Sequence, residues 1–170
     1  GMTPQYPILE FDDERPAVIE PSEVLAPIDI AERCVLCFFG DIVTAAAAEP
    51  NVRLVYECGS EMGKHPIYEK GEAGSRVVFA QPGIGAPLSA AILEELIALG
   101  CRKFVVCGGA GVLDGALAVG SSVLVTSALR DEGCSYHYLP AGEAAVPAPT
   151  ARDAIAAALE REAWPYVAGK

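Results

Sequence analysis

The chain has 170 residues, enough for one domain with a substantial core, and 52% of them are hydrophobic, which excludes a disordered chain. Twelve basic residues stand against 23 acidic ones, and a net charge of −11 repels a phosphate backbone, so a nucleic-acid polymer is not the expected partner. No apolar run approaches the roughly 20 residues that span a bilayer, and no basic, apolar, small-residue signal opens the chain, so a cytoplasmic protein is expected. Gly1 before Met2 reads as an expression remnant.

Residues 2–33 carry five prolines and no sustained period. They read as an irregular segment wrapping the surface, with 17–20 briefly extended. Residues 34–39 (CVLCFF) form the first buried strand, which ends at Gly40 and Asp41. Residues 42–49 make a short alanine-rich helix that stops before Pro50, because a residue preceding proline is pushed out of helical geometry. Residues 52–56 read as a strand and 59–66 (GSEMGKHP) as a polar loop. Residues 67–70 and 76–80 then pair as a hairpin across the turn-forming 71–75.

From Pro87 the period becomes helical. Leu88, Ile92, Leu96 and Leu99 recur at three- and four-residue steps, and Ala91 and Leu93 widen the face. Pro87 suits the first turn, where a missing N–H loses no bond, and Gly100 suits the position just past the end. Residues 104–107 form a second buried strand, broken by Gly108, Gly109 and Gly111. Strand, helix, strand at this spacing is a βαβ unit with an expected right-handed crossover.

Residues 122–128 make another strand, followed by a polar and aromatic segment, 130–140 (RDEGCSYHYLP), and a loop over 141–149. A helix opens at Thr150, with Asp153 as its capping-box partner and Ile155, Ala158 and Leu159 as its core stripe. Residues 165–168 begin a strand whose partners should lie further on, so the chain reads as cut short. The result is one incomplete α/β domain over 34–170 behind an irregular 2–33. Its unpaired last segment should leave apolar patches exposed, which favours a homo-oligomer.

Cys34, Cys37, Cys101 and Cys107 lie in or beside apolar runs and read as small buried hydrophobes. Cys34 and Cys37 spell CxxC on a strand pattern, without a second ligand pair, so no metal is expected. Gly83 and Gly85 between strand and helix suggest a dinucleotide fingerprint. Leu88 fills the place of its third glycine, however, and the next strand ends at Cys107 rather than at an acid. A tight turn and close packing of helix on sheet suffice to explain these two glycines.

Gly108, Gly109, Ala110 and Gly111 follow the end of a parallel strand, where ligands bind in open α/β sheets and glycines expose N–H groups. A steric role for them is equally compatible with the spacing. His65 sits beside Lys64 and near Glu61 in a segment that could close over a pocket, whereas His137 has no motif around it. Arg130, Asp131 and Glu132 read by default as a solvated charge run, with Arg130 held as a possible ligand group.

GIGAPLSAAILEELIALG at 83–100, GGAGVLDGALAVG at 108–120 and the strand leading into 130–140 resemble, in order and spacing, the nucleoside phosphorylases of the uridine and purine nucleoside type and their nucleosidase relatives. The likeness runs from about Cys34 to the end. It implies an α/β fold with a central mixed sheet flanked by helices, the C-terminal part missing, and assembly as dimers, trimers or hexamers. It also implies cleavage of the N-glycosidic bond of a nucleoside, with phosphate as co-substrate or water in its place and no other cofactor. The chemistry implied is positioning and charge stabilisation rather than a covalent nucleophile.

By the same resemblance, Gly40 falls on the glycine of the first phosphate loop, with Asp41 following. Gly109, next to Gly108, falls where a threonine touches phosphate and ribose, and Ala110 and Gly111 fall on the backbone lining the base. Glu61, Lys64 and His65 lie near a loop that reaches into a neighbouring subunit's site. The family's arginines are replaced: Thr44 and Val106 stand at two of their places, and Gly59 or Lys64 near a third. Its acid, base-reading residues and ribose-binding glutamate would lie beyond Lys170. The 170 residues alone are therefore expected to turn over little or nothing. Two other readings remain compatible: a non-catalytic nucleoside- or nucleotide-binding module, including a family remnant kept for assembly, and an unrelated α/β enzyme sharing the sheet.

Overall fold

The structure, a computed structural model, describes residues 6–14 and 16–170. Contacts group the chain into two compact units. One is Glu14–Gly109; the other is Ala110–Lys170 with the described part of Gly1–Asp13.

The first unit is built on a five-stranded sheet in the order β2-β3-β4-β1-β5. Its strands are β1 (Arg33–Cys37), β2 (Val52–Ser60), β3 (Gly63–Lys70), β4 (Val77–Ala80) and β5 (Lys103–Cys107). β4 and β5 both run parallel to β1, which lies between them, so the strand–helix–strand unit crosses over β1 rather than joining neighbours. β3 pairs antiparallel with both β4 and β2, giving a mixed sheet. Cys34 and Leu36 of β1 and Val78 and Ala80 of β4 fall in one apolar cluster, while Cys37 and Phe79 fall in the other. That alternation is the period-two signature of strands buried on both faces.

Helices supply the two covers. α3 (Ala86–Leu99) buries Ile92, Leu96 and Leu99, the stripe its spacing predicts. It ends at Gly100, whose φ of 133° no side chain would favour and whose N–H reaches the Leu96 carbonyl. α2 (Gly40–Ala47) puts Val43 against Cys37 and Phe79 on the opposite face. Of the irregular N-terminal residues, Pro21–Val24 form a single helical turn, α1, while 17–20 form no strand.

Glu69 is the one buried charged residue among those described, 2% exposed on β3. Its carboxylate accepts from Arg53 Nε and a terminal nitrogen of Arg53, from Arg76 Nε and a terminal nitrogen of Arg76, and from the Ala31 N–H at 2.8 Å. Arg76 also bonds the Asp29 side chain at 2.7 Å. Burial pushes the Glu69 carboxyl upward, but bonds from Arg76, Arg53 and the Ala31 N–H outweigh it and hold the group below its usual range.

The second unit holds a two-stranded parallel sheet of β6 (Ser122–Val125) and β7 (Tyr166–Gly169). The last segment therefore has a partner within the chain, contrary to the expectation that it lacks one. α4 (Pro149–Arg161) starts with Pro149 at its first position and has no side-chain cap. Asp153 pairs with Arg152 at 2.9 Å instead of closing a capping box, so proline's fixed φ does the work expected of Thr150. Ile155, Ala158 and Leu159 are half-buried.

Candidate functional site

β1, β4 and β5 point the same way, so their carboxyl ends share one edge of the sheet. Cys37 is in register with Cys107, and the Phe38 N–H extends the ladder to the Cys107 carbonyl at 2.9 Å. The chain then leaves β1 through Phe38 and Phe39 into α2, and leaves β5 through Gly108 and Gly109. Gly40 and Asp41 are thus the first two residues of α2, not a loop before it. Their N–H groups belong to the helix's unpaired first turn, the partly positive end that attracts anions. Asp41 places a carboxylate of its own there.

The glycines at this edge have separate causes. A Cβ on Gly40 would lie 2.9 Å from Gln81 Nε2, and one on Gly108 would lie 3.1 Å from Phe38 Cβ. Gly109 faces the ring of Phe39 at an ordinary 3.4 Å, while Gly111 belongs to the second unit. Gly108 is therefore at least partly steric, while Gly109 leaves its backbone open. Gly83, with φ of 78°, would drive a Cβ to 2.3 Å from Leu88 Cδ2, so a tight turn against the start of α3 accounts for that glycine.

Two residues at the edge escaped the sequence reading. Gln81, the first residue after β4, reaches its amide to the Phe38 carbonyl at 3.4 Å, across Gly40. Phe39, read as strand, is the N-terminal cap residue of α2 and is 44% exposed. Their signal was position: each stands just past the carboxyl end of a parallel strand. Thr44 spends its hydroxyl on the Gly40 carbonyl at 2.8 Å, so it offers no free donor in place of an arginine.

Residues 59–66 are a hairpin, not a polar loop. β2 and β3 pair from Val52↔Lys70 to Ser60↔Gly63, leaving only Glu61 and Met62 as the turn. Alternation is hidden here by Gly59, Ser60, Gly63 and Pro66, whose types signal turns. β3 leaves β4 at Ile67↔Ala80, so 63–66 run on without that neighbour. Four residues at ~3.4 Å each carry the tip roughly 13 Å beyond the same carboxyl edge. Lys64 and Glu61 are exposed on this overhang, and His65 Nε2 bonds Ser60 Oγ at 2.9 Å. Cys107, expected to be buried, is exposed, because β5 is the outer strand with no neighbour on its far side in this sheet.

In the second unit Arg130 is not a solvated charge. Nε donates to Ser135 Oγ at 3.0 Å, one terminal nitrogen to the Pro140 and Glu143 carbonyls, and the other to the Ser135 and Leu139 carbonyls. All five guanidinium donors are used. The group also lies 4.6 Å over the Tyr136 ring, whose hydroxyl donates to the Arg130 carbonyl. Hydrogen bonds from Ser135 hold the Glu132 carboxyl below its usual range. Arg130 organises 130–143 and has no donor left for a ligand. Arg130→Lys keeps the charge but loses the fork; it should cost about 2–4 kcal/mol in urea denaturation, since several charged bonds fail together.

No group of three or more histidine, cysteine or acidic side chains is placed to hold a metal among the described residues. No described helix is long and apolar enough to cross a membrane.

The chain belongs to the phosphorylase superfamily, whose sequence model matches residues 32–170. Over 67 residues it is 36% identical to the uridine phosphorylase of Haemophilus influenzae, covering 39% of this chain and 27% of that protein. Over 74 residues it is 36% identical to the guanosine phosphorylase of Halorubrum lacusprofundi, covering 44% and 31%. The uridine phosphorylase structure from Vibrio fischeri superposes with a TM-score of 0.71 at 24% identity, over 83% of this chain and 58% of that one. That last likeness is one of fold. The chain thus spans well under two thirds of the proteins it matches.

Proposed function

We propose that the protein cleaves the N-glycosidic bond of a nucleoside, with the carboxyl edge of β1 and β5 as its ribose cradle. The observation that carries this is the alignment of Gly40 and Asp41 beside Gly108 and Gly109, through the Cys37↔Cys107 register, in a chain of the phosphorylase superfamily. In this reading the backbone of Gly40, Gly108 and Gly109 faces the sugar and the incoming nucleophile. The exposed Phe39 ring offers the base a stacking face. A cytoplasmic location goes with six free cysteines.

The residues of the edge, 38–41, 81–85 and 108–109, contain one ionisable side chain, Asp41. No cation there can hold a phosphate dianion, which favours water as the nucleophile over phosphate. Nor is there a cationic proton donor for the departing base, and general acid catalysis is typically worth ~10²–10⁴-fold. Turnover by these 170 residues should accordingly be slow. The bare edge also supports the second reading, a nucleoside-binding module without chemistry. Incubation with a panel of nucleosides, with and without phosphate, followed by chromatography of free base, separates them. Slow release indifferent to phosphate supports cleavage; binding with no release of any base supports the module.

The hairpin overhang and the apolar exposed surface also support a homo-oligomer, with Glu61, Lys64 and His65 at the contact. Light scattering at micromolar concentration should give at least a dimer, and a monomeric mass would count against it.

A further inference from the structure

Cys34 and Cys37 spell a CxxC, yet they cannot bridge to each other. Three residues along a strand separate their Cα atoms by roughly 10 Å and turn their side chains to opposite faces, beyond the ~7 Å limit for a disulfide. They sit accordingly in the two different apolar clusters. Each has another partner. Cys34 shares its apolar cluster with Cys101, and both are almost wholly buried, at 2% and 0% exposure. Cys37 stands directly opposite Cys107 in the parallel pairing of β1 and β5.

The second pair differs from the first in three ways. Cys107 is exposed, so a reagent can reach it, while Cys37 lies just beneath at 6% exposure. Paired Cα atoms on neighbouring strands are ~4.8 Å apart, inside the range a disulfide needs. Each cysteine is also the last residue of its strand, and Gly108 follows Cys107, so the backbone there can give the small shift that closes an S–S bond.

We infer that Cys37 and Cys107 form a thiol–disulfide exchange site that takes low-molecular-weight disulfides. The Cys107 thiolate attacks one sulfur of the disulfide RSSR, forming a mixed disulfide and releasing RS⁻, which takes up a proton. The Cys37 thiolate then attacks the Cys107 sulfur and releases the second RS⁻. Two cysteine thiols are oxidised, and one RSSR is reduced to two RSH. The bridge ties together the ends of the strands that lead into Gly40 and Gly108. Closeness rather than acidity drives it: desolvation of the sulfur and the neighbouring Cys37 thiol push the Cys107 thiol up to about 11, so the rate should rise about tenfold per pH unit from 7 to 10.

The test treats the native wild-type chain with 2-hydroxyethyl disulfide, blocks remaining thiols, and digests with trypsin. The site requires loss of two of the six thiols. It also requires a link between peptides 34–53 and 104–130, localised to Cys37 and Cys107 by fragmentation. Cys37→Ser should instead accumulate a mixed disulfide at Cys107. Six unreacted thiols, a stable mixed disulfide on Cys107 in wild type, or a link through Cys34 would each overturn the inference.

Discussion

Replacing Glu69 with Ala should cost about 3–5 kcal/mol of stability, the range for removing one member of a buried, fully bonded ion group. The carboxylate is 2% exposed and is the shared acceptor of Arg53, Arg76 and the Ala31 N–H. Its loss leaves a buried backbone N–H without an acceptor and a void between β3 and the segment before β1. The Asp29 bond to Arg76 is on an 84% exposed carboxylate and should matter little. Because the folded-state pKa of Glu69 is depressed, its contribution is fully present above the unfolded carboxylate value near ~4.3 and is lost as pH falls through the folded value. Arg76→Ala reverses the balance: burial then dominates, the carboxyl titrates higher, and the variant should regain part of its stability on mild acidification. Urea midpoints measured from pH 3 to 7 would show Arg76→Ala rising between pH 6 and 5 while wild type holds steady there and falls only below about 4.3. Parallel curves would mean that the cluster is ornamental.

Phosphate should bind the chain with a dissociation constant above about 1 mM, and Asp41→Asn should tighten it about tenfold. A guanidinium holds phosphate through paired charge-assisted bonds, and none stands at this edge. Each charged bond is worth roughly 1.5–3 kcal/mol, so two missing ones remove ~10²–10⁴-fold in affinity. Thr44 does not compensate, since its hydroxyl is bonded to the Gly40 carbonyl, and Val106 offers no polar atom. Asp41 works in the same direction, because its carboxylate already sits at the positive end of α2. Calorimetric titration decides: submillimolar phosphate affinity in wild type would show that backbone N–H groups suffice, and an unchanged Asp41→Asn would show that the anion binds elsewhere.

Where burial and periodicity coincide, the fold was legible. β1, β4 and α3 announce themselves because both faces of the strands, and one stripe of the helix, are continuous runs of apolar residues. The β2–β3 hairpin tip was hidden because its strands project past the sheet and bury little, so they need no apolar alternation. Glu69 and Arg130 were invisible for a related reason: the partners of Glu69 lie 7 to 38 residues away along the chain, and those of Arg130 are mostly backbone carbonyls. At the candidate site the glycines could be read from motif spacing, but Gln81 and Phe39 could not. Their relevance comes from the parallel register that brings three strand ends to one edge.

The most direct test of that edge is nuclear magnetic resonance of the ¹⁵N-labelled chain during titration with uridine and guanosine, without phosphate. The account predicts that the amides of Gly40, Asp41, Gly108 and Gly109 shift first and saturate together with at least one nucleoside, while those of Ser135 and Glu143, around Arg130, stay still. Saturating shifts confined to the Arg130 segment, or none at the four edge amides with either nucleoside, would contradict it.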